Sequence, residues 1–316
     1  MTGELTGKAV TYKGSGGHEV IQVSERTVRA PEAGEVRINV HAAAISPVDI
    51  AMRMMGSPDP SRPLTPGMDA AGVVESVGPG VTRVRVGDKV MAGVMPIRPE
   101  GGGQAAQIVV PEASVLAIPK GVSLSEASTL PMNGLTALLA IELAALKPGQ
   151  TFAVSGGAGL LASYAIPAAK AQGLKVIADA KPEEVDLVRG YGADVVVARG
   201  VGFCDAVREA APEGVDALLD TAVLGEKVFP AIRDGGVYLS VRQVNDAPVR
   251  GIQMRPVWVN VALQRTDMLE VLRDLVEAGK IKPRVTGEFP PERAAEAHRL
   301  LEAGGQRGRS VIVFGQ

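Results

Sequence analysis

The sequence is poor in metal-binding and disulfide-forming side chains. It has one cysteine, Cys204, and three histidines, His18, His41 and His298, which are far apart along the chain. A single cysteine forms no internal disulfide, and a structural zinc site needs several thiolate or imidazole ligands that lie together. The composition therefore excludes a structural zinc lobe and disfavours a catalytic zinc.

The chain also lacks an excess of charge and long hydrophobic runs. Lys and Arg number 33 against 35 Asp and Glu, so the formal net charge is −2 and no basic surplus is available for a nucleic acid or anionic lipid. No apolar stretch reaches the roughly 20 residues of a membrane-spanning helix. Residues 1–8 contain no signal-peptide core. We therefore expect a cytoplasmic enzyme with no membrane or nucleic-acid partner.

The first 120 of the 316 residues have the pattern of a β-rich domain. β-Branched residues alternate or cluster in short runs that Gly or Pro separates. The predicted strands are 8–12, 20–23, 35–42, 73–77, 89–92, 107–110 and 114–118. Residues 56–67, with four prolines, and residues 96–103, which end in three glycines, are predicted to form surface loops.

After residue 123, helices and strands alternate. A long apolar helix is predicted at 124–146, followed by strands at 151–154, 175–178, 194–197, 217–219 and 237–241, with helices at 162–172, 183–190 and 204–211 between them. This order predicts an α/β fold with βαβ units and a parallel sheet of the Rossmann type. Because that sheet is then complete, the helices at 269–278 and 291–303 and the strand at 310–314 are expected to return to the first domain.

A glycine-rich motif follows the strand at 151–154. Gly157, Gly159 and Ala162 form a G-x-G-x-x-A pattern between a strand and a helix, the context that a dinucleotide fingerprint requires. Glycine permits the tight turn and close approach of a pyrophosphate, and the helix N-terminus offers unpaired N–H groups. The sequence therefore predicts a dinucleotide site whose phosphate loop is Gly157, Ala158, Gly159, Leu160 and Leu161.

The choice between NAD and NADP is ambiguous in the sequence. Asp179 ends the next strand, where an acidic residue normally binds the adenosine ribose and repels a 2′-phosphate, which favours NAD. Lys181 and Arg199 lie close to the ends of that strand and the following one, and either could bind a 2′-phosphate, which favours NADP. Both could equally be solvated surface charges.

Motifs along the whole chain resemble the medium-chain dehydrogenase/reductase superfamily, and within it the zinc-independent quinone oxidoreductases. They are residues 67–74 (GMDAAGVV), 78–90 (GPGVTRVRVGDKV), 127–137 (ASTLPMNGLTA), 275–280 (LVEAGK) and 307–311 (RGRSV). The resemblance implies a GroES-like catalytic domain at 1–121, completed by 267–316, and a Rossmann NADP(H)-binding domain at 122–266. It also implies a cleft between the two domains and a homodimer.

The resemblance locates the missing metal ligands. Zinc-binding members of the superfamily have Cys where this chain has Ser46, His-Glu where it has Met68-Asp69, and a second Cys near Met132. Hydroxyl and thioether groups bind zinc weakly. The zinc site is therefore expected to be absent.

Several further site residues are predicted. Without a metal, hydrogen-bond donors must polarise the substrate carbonyl, and the candidates are Ser46, Asn133 and Thr136. The resemblance also places Ser46 and Thr136 next to the nicotinamide and its ribose, and Arg309 where a cation contacts the pyrophosphate. The alternatives are that Ser46 only shapes its loop, that Thr136 bonds its own helix backbone and that Arg309 is solvated. Asp49 is expected to hold the active-site loop.

Two strand ends complete the predicted cofactor site. Thr221, Ala222 and Val223 follow one Rossmann strand, and Ser240 and Val241 end the next. Ligands bind at the carboxyl edge of such sheets, so the main chain here is expected to meet the nicotinamide amide.

The sequence thus predicts a zinc-independent, NADP(H)-dependent oxidoreductase that reduces quinones or α,β-unsaturated carbonyls by hydride transfer, with NAD(H) possible as coenzyme. Aromatic residues form only 3% of the chain, which leaves few stacking partners for a large planar quinone. Two alternatives remain: an enoyl or alkenal reductase using NADH or NADPH, and a dinucleotide-binding protein with little catalysis. The latter follows from two departures from the family pattern: Leu160 is bulkier than the glycine usual in the loop, and Ser46 stands where the quinone oxidoreductases usually have Asn.

Overall fold

The computed structural model describes residues 3–57, 59, 61–243 and 247–315. The chain divides into two compact units. Unit 1 comprises Met1–Met132, Leu263–Glu277 and Pro283–Gln316, and unit 2 comprises Asn133–Ala262 and Ala278–Lys282. No helix in the described part of the chain is both long and apolar enough to cross a membrane.

The strands and helices are numbered in chain order. The strands are β1 Leu5–Thr11, β2 Gln22–Val28, β3 Glu35–Ala44, β4 Asp69–Val77, β5 Lys89–Gly93, β6 Gln107–Pro111, β7 Val115–Ala117, β8 Thr151–Ser155, β9 Lys175–Ala180, β10 Val195–Ala198, β11 Val215–Asp220, β12 Ile232–Ser240, β13 Gln253–Pro256, β14 Val285–Phe289 and β15 Arg309–Val313. The α-helices are α1 Pro47–Met55, α2 Leu124–Ala127, α3 Pro131–Ala144, α4 Ala162–Ala171, α5 Val185–Gly190, α6 Phe203–Ala210, α7 Thr266–Glu277 and α8 Ala294–Glu302.

Unit 1 is built on a seven-stranded sheet. Its order is β14-β15-β3-β4-β5-β7, with β6 also pairing with β3, while β1 and β2 form a separate antiparallel ribbon. Every pair in the larger sheet is antiparallel except β14 with β15. Alternate residues of these strands, among them Val36, Ile38 and Val74, enter one buried core. Because side chains alternate across a strand, this core lies on one face of the sheet.

Unit 2 is built on a six-stranded parallel sheet. Its order is β10-β9-β8-β11-β12-β13, so the chain starts at the centre, moves to one edge and then crosses to the other side of β8. Strands of such a sheet are covered on both faces, which explains their nearly continuous apolar runs. The fold class predicted from the sequence, a β-rich domain with a Rossmann-type parallel sheet, is confirmed.

The sequence pattern misses three elements, α1, β13 and β14. Helix α1 is signalled only by its start, where Ser46 is the N-cap, Pro47 the first helical residue and Asp49 the N3 acid. Strand β13 contains no β-branched residue and is defined by its pairing with β12. The prediction that the parallel sheet ends with the strand at 237–241 is therefore wrong.

The predicted helix at 124–146 is two helices. A turn separates α2 from α3, because Pro131 has no N–H to continue a helix and favours the first helical position. The loops at 56–67 and 96–103 contain no helix or strand in their described residues, with Pro58 and Pro60 lying outside these. The last residues of the two loops, Thr65–Gly67 and Gly102–Gly103, are buried. The prediction that both loops lie on the surface is therefore wrong for these residues.

Candidate dinucleotide and active site

The predicted phosphate loop connects β8, the central strand of unit 2, to α4. Gly156 has φ +71°, and a Cβ at Gly157 would collide with the carbonyl oxygen of Asp179, so both positions require glycine. Helix α4 begins without a side-chain cap, because its N-cap residue is Leu161. The loop thus fits a pyrophosphate: close backbone approach is possible and the helix N-terminus is open to an anion.

The remaining loop residues face two environments. Gly159 is exposed and Leu161 is half-buried, whereas Ala158 and Leu160 are 3% and 6% exposed. The side chain of Leu160 packs into the protein, and its carbonyl accepts a hydrogen bond from Ser163 Oγ at 2.7 Å. Its bulk is therefore directed away from the surface that a pyrophosphate would approach.

Asp179 and Arg199 form an ion pair at the end of β9. Arg199 Nε donates to Asp179 Oδ2 at 2.7 Å, and Gly157 N donates to Asp179 Oδ1 at 2.9 Å. Asp179 is 4% exposed, while a third of the Arg199 side chain reaches solvent. Both carboxylate oxygens are thus engaged within the protein, and the guanidinium lies at the rim of the glycine-rich loop.

Glu184 also anchors this rim and is a residue that the sequence reasoning missed. It is 4% exposed, and its Oε2 lies 3.5 Å from Arg199 Nη1 and accepts from Lys181 N at 3.2 Å. An acid three residues after Lys181, at the start of a helical turn, is the spacing of a capping box and could have indicated it. The Lys181 side chain itself is exposed.

The ends of β11 and β12 lie on the other side of β8. Thr221 Oγ1 donates to the carbonyl oxygen of Ser155 at 2.5 Å, and Ala222 N donates to Ser155 Oγ at 3.3 Å, so both contact the end of β8. Ser240, the last residue of β12, is 3% exposed, and its Oγ accepts from Arg242 N at 3.1 Å.

Val223 and Val241 complete the predicted set at these strand ends. Val223 has φ +57° and is 43% exposed, and Val241 is half-buried directly after β12. Asp220, which ends β11, was not predicted as a site residue. The acid that directly follows the apolar run 217–219 is the signal that could have found it.

In unit 1, Ser46 and Asp49 form a buried hydrogen-bonded pair at the start of α1. Asp49 Oδ2 accepts from Ser46 N at 2.8 Å and from Ser46 Oγ at 3.1 Å, and Asp49 Oδ1 accepts from Gly67 N at 2.8 Å. Burial raises the pKa of Asp49 to about 6, although these hydrogen bonds and the charge of Arg309 oppose it. Asp49 thus ties the end of the 56–67 loop to α1, and the Ser46 hydroxyl donates to this carboxylate.

Asp69 is a second buried carboxylate, which the sequence reasoning treated only as a lost zinc position. It is fully buried at the start of β4, and its Oδ1 accepts from Met132 N at 2.6 Å. Burial, with a smaller contribution from the charge of Asp49, raises its pKa to about 7, although the hydrogen bond from Met132 N and the charge of Arg309 oppose this. Arg309, 8% exposed at the start of β15, is therefore part of a buried charge cluster rather than a solvated cation.

Asn133 and Thr136 lie one turn apart on α3. They are 2% and 7% exposed, and residues three apart share one face of a helix. The two residues therefore share a buried face of α3.

A metal site would need a different set of side chains. Within the described residues, no three His, Cys, Asp or Glu side chains lie close enough together to hold a metal ion. At two positions where the resemblance implies zinc ligands in other members, Ser46 Oγ donates to Asp49 and Met132 N donates to Asp69. The residues present do not fit zinc.

Comparisons with known proteins agree with this architecture. Residues 32–120 match the alcohol dehydrogenase GroES-like domain, and residues 175–312 match the zinc-binding dehydrogenase family. The chloroplastic NADPH-dependent alkenal/one oxidoreductase of Arabidopsis thaliana is 32% identical over 318 residues, which span 96% of this chain and 79% of that protein. The quinone oxidoreductase of Rattus norvegicus is 26% identical over 334 residues, spanning 99% of both chains.

Solved structures show the same fold along the whole chain. A crystal structure of an NAD-dependent alcohol dehydrogenase has a TM-score of 0.82 and 30% identity, and the match covers 98% of this chain and 100% of that one. The β-rich unit is thus GroES-like, as the sequence motifs imply. The chain belongs to the medium-chain dehydrogenase/reductase superfamily, as a relative of its quinone oxidoreductases and alkenal reductases.

Proposed function

We propose that this member of an oxidoreductase superfamily uses NADPH, without zinc, to reduce α,β-unsaturated carbonyl compounds or quinones. The observation that carries the proposal is the rim of the glycine-rich loop, where buried Asp179 holds the partly exposed guanidinium of Arg199 at 2.7 Å. The printed activities of two relatives, an NADPH-dependent alkenal/one oxidoreductase and a quinone oxidoreductase, support the substrate classes.

The coenzyme preference rests on what Asp179 binds. A carboxylate that selects NAD accepts hydrogen bonds from the ribose hydroxyls. Here its two oxygens already accept from Gly157 N and Arg199 Nε. Arg199 and the exposed Lys181 then supply the cations that a 2′-phosphate requires, and Arg binds phosphate through planar, charge-assisted hydrogen bonds. NADH is the alternative, because Asp179 remains an acid at the position that recognises a ribose.

The proposed reaction is a two-electron reduction. When bound, NADPH supplies a hydride from its nicotinamide ring. The β-carbon of an enone accepts the hydride, the α-carbon accepts a proton from water, and the products are the saturated carbonyl and NADP⁺. For a quinone, the same hydride and proton give the hydroquinone.

Hydrogen-bond donors of this chain take the place of a Lewis acid in the proposal. Asn133 and Thr136 present an amide and a hydroxyl from one face of α3, and these groups would bind the developing oxyanion or the nicotinamide ribose. The sequence also predicts Ser46 as a donor to the substrate, but its hydroxyl donates a hydrogen bond to Asp49. We therefore propose that Ser46 helps to shape the site by holding Asp49, which in turn binds the end of the 56–67 loop.

Coenzyme titration and a substrate panel test the function. The binding of NADPH and NADH, followed by fluorescence, should favour NADPH, and enones and quinones should support NADPH oxidation. Tight NADPH binding without turnover of any compound would favour the dinucleotide-binding protein with little catalysis. Tighter binding of NADH would overturn the coenzyme assignment.

The proposal includes a homodimer, for which light scattering during size-exclusion chromatography should give twice the chain mass of 32.7 kDa.

A further inference from the structure

Asp220 is a buried carboxylate at the end of β11, on the opposite side of β8 from Asp179. It is 0% exposed. Its Oδ1 accepts from Ser155 Oγ at 2.6 Å, and its Oδ2 accepts from Tyr238 Oη at 2.8 Å, Leu224 N at 2.7 Å and Gly225 N at 2.9 Å. One side chain therefore connects β8, β12 and the segment that follows β11, residues 221–225.

The 221–225 segment packs directly on the glycine-rich loop. Ser155 Oγ, which donates to Asp220, accepts from Ala222 N, and the Ser155 carbonyl accepts from Thr221 Oγ1. A Cβ at Gly156 would lie 2.7 Å from Thr221 Oγ1. The two loops are thus in close contact, and Asp220 and Ser155 set the spacing between them.

The segment also holds a strained residue. Val223 has φ +57°, a conformation that β-branched residues rarely adopt and that persists only where surrounding contacts enforce it. The hydrogen bonds from Leu224 N and Gly225 N to Asp220 come directly after it. Val223 and Leu224 are 43% and 38% exposed, so the segment presents two apolar side chains at the carboxyl edge of the sheet.

We propose that Asp220 is a positioning residue that fixes the 221–225 segment as the support for the nicotinamide half of the coenzyme. The inference rests on the proposed function. In a sheet of this type the adenosine half binds over the strand that carries the ribose acid, here β9, and the coenzyme crosses at the switch point between β8 and β11. The β11 side then receives the nicotinamide half, and Val223 offers it an apolar surface.

Ligands that contain one or both halves of the coenzyme test this role. Asp220→Asn replaces one acceptor oxygen by an amide that would face N–H and O–H donors. We expect its dissociation constant for NADPH to rise by about tenfold or more, with a lower kcat for NADPH oxidation. The dissociation constant for 2′,5′-ADP, which carries only the adenosine half, should stay that of the wild type. A merely structural role would not separate the two ligands.

Asp216→Asn is the matched control. Asp216 is on the same strand, near its other end, and accepts from Gln150 Nε2, Thr151 N and Arg233 Nε. Its loss should lower the midpoint of urea unfolding and leave both dissociation constants unchanged. Should Asp220→Asn not fold, Tyr238→Phe removes a single donor to the same oxygen and should weaken NADPH but not 2′,5′-ADP.

The outcomes separate the two proposals. If a folded Asp220→Asn or Tyr238→Phe variant binds NADPH as the wild type does, or loses both ligands in equal proportion, the positioning role is wrong and the proposed function stands. If the wild type binds neither NADPH nor NADH, the proposed function fails and this inference with it. If the wild type prefers NADH, NADH and 5′-AMP replace the two probes, and the Asp220 comparison decides as before.

Discussion

At the scale of single residues, two buried carboxylates at the carboxyl edge of the parallel sheet accept hydrogen bonds from other groups of the chain. Asp179 accepts from Gly157 N and Arg199 Nε, and Asp220 accepts from side chains and main chain around β11. From the sequence, an Asp at the end of a strand predicts only that a carboxylate lies at this edge of the sheet. Which partner it binds depends on cations and N–H groups from distant parts of the chain.

Arg199→Gln tests the coenzyme assignment. Removing a charge-assisted hydrogen bond to phosphate costs about 1.5–3 kcal/mol, so the dissociation constant for NADPH should rise by about ten- to a hundredfold. The dissociation constant for NADH should change little. Fluorescence titration measures both constants. Lys175→Gln is the control for general loss of charge, because Lys175 is exposed at the start of β9, the end of the strand opposite Asp179. Equal losses of NADPH and NADH binding in Arg199→Gln would contradict a 2′-phosphate contact.

His298 should make stability depend on pH. It is fully buried, its Nε2 lies 3.2 Å from Gln104 Oε1, and burial lowers the pKa of its imidazole from 6.5 to about 3. At pH values between about 3 and 6.5, His298 is protonated in the unfolded chain but not in the folded chain. The free energy of unfolding therefore falls with decreasing pH, by up to about 1.4 kcal/mol per pH unit from this group.

The measurement is urea unfolding at several pH values in the upper part of that window. His298→Gln should flatten the dependence relative to the wild type. The raised pKa values of Asp49 and Asp69 act in the opposite direction, because the folded chain then binds protons more tightly. Both carboxyl groups are present in the wild type and in His298→Gln. The difference in pH dependence between the two proteins therefore reports His298 alone. Parallel slopes for the two proteins would refute the assignment.

At the scale of elements, the glycine-rich loop and the 221–225 segment of unit 2 are in close contact. Gly156→Ala adds a Cβ 2.7 Å from Thr221 Oγ1 at a backbone φ of +71°. We expect the two loops to separate and NADPH binding to weaken by about tenfold or more, a loss near 1.4 kcal/mol.

Gly149→Ala is the control for this prediction. Gly149 has φ +87° with nothing within 4 Å of an added Cβ, so it has the backbone penalty of about 1–2 kcal/mol without the collision. Urea unfolding should show a loss of stability in both variants, and coenzyme titration a loss of affinity in Gly156→Ala alone. Unchanged NADPH binding by Gly156→Ala would show that the loop spacing does not matter.

At the scale of the whole molecule, the shortage of metal ligands predicts independence from metal. The chain has one cysteine and three histidines, and residues at the superfamily's zinc positions bond to neighbours within unit 1. Prolonged dialysis against a chelator should therefore change neither NADPH-dependent reductase activity nor the unfolding midpoint, and elemental analysis should find substoichiometric zinc. Loss of activity that added zinc restores would contradict the prediction.

Much of the fold was predictable because it depends on local pattern. Apolar runs of strand length that alternate with helices predict the parallel sheet, and short β-branched runs predict the β-rich unit. Elements without such a pattern were missed. Strand β13 exists through its backbone pairing with β12, and α1 through the cap formed by Ser46, Pro47 and Asp49.

The fold class, the place of the glycine-rich loop and the scarcity of metal ligands follow from residue type and order along the chain, so they can be predicted without coordinates. That Asp179 binds Arg199 and that Asp220 binds the 221–225 segment follows only from the folded arrangement of the chain. The same holds for the hydrogen bond that the Ser46 hydroxyl donates to Asp49. A hydrogen bond is directional and effective over about 3 Å. Its partners are therefore chosen by how strands and loops that are distant in sequence are brought together.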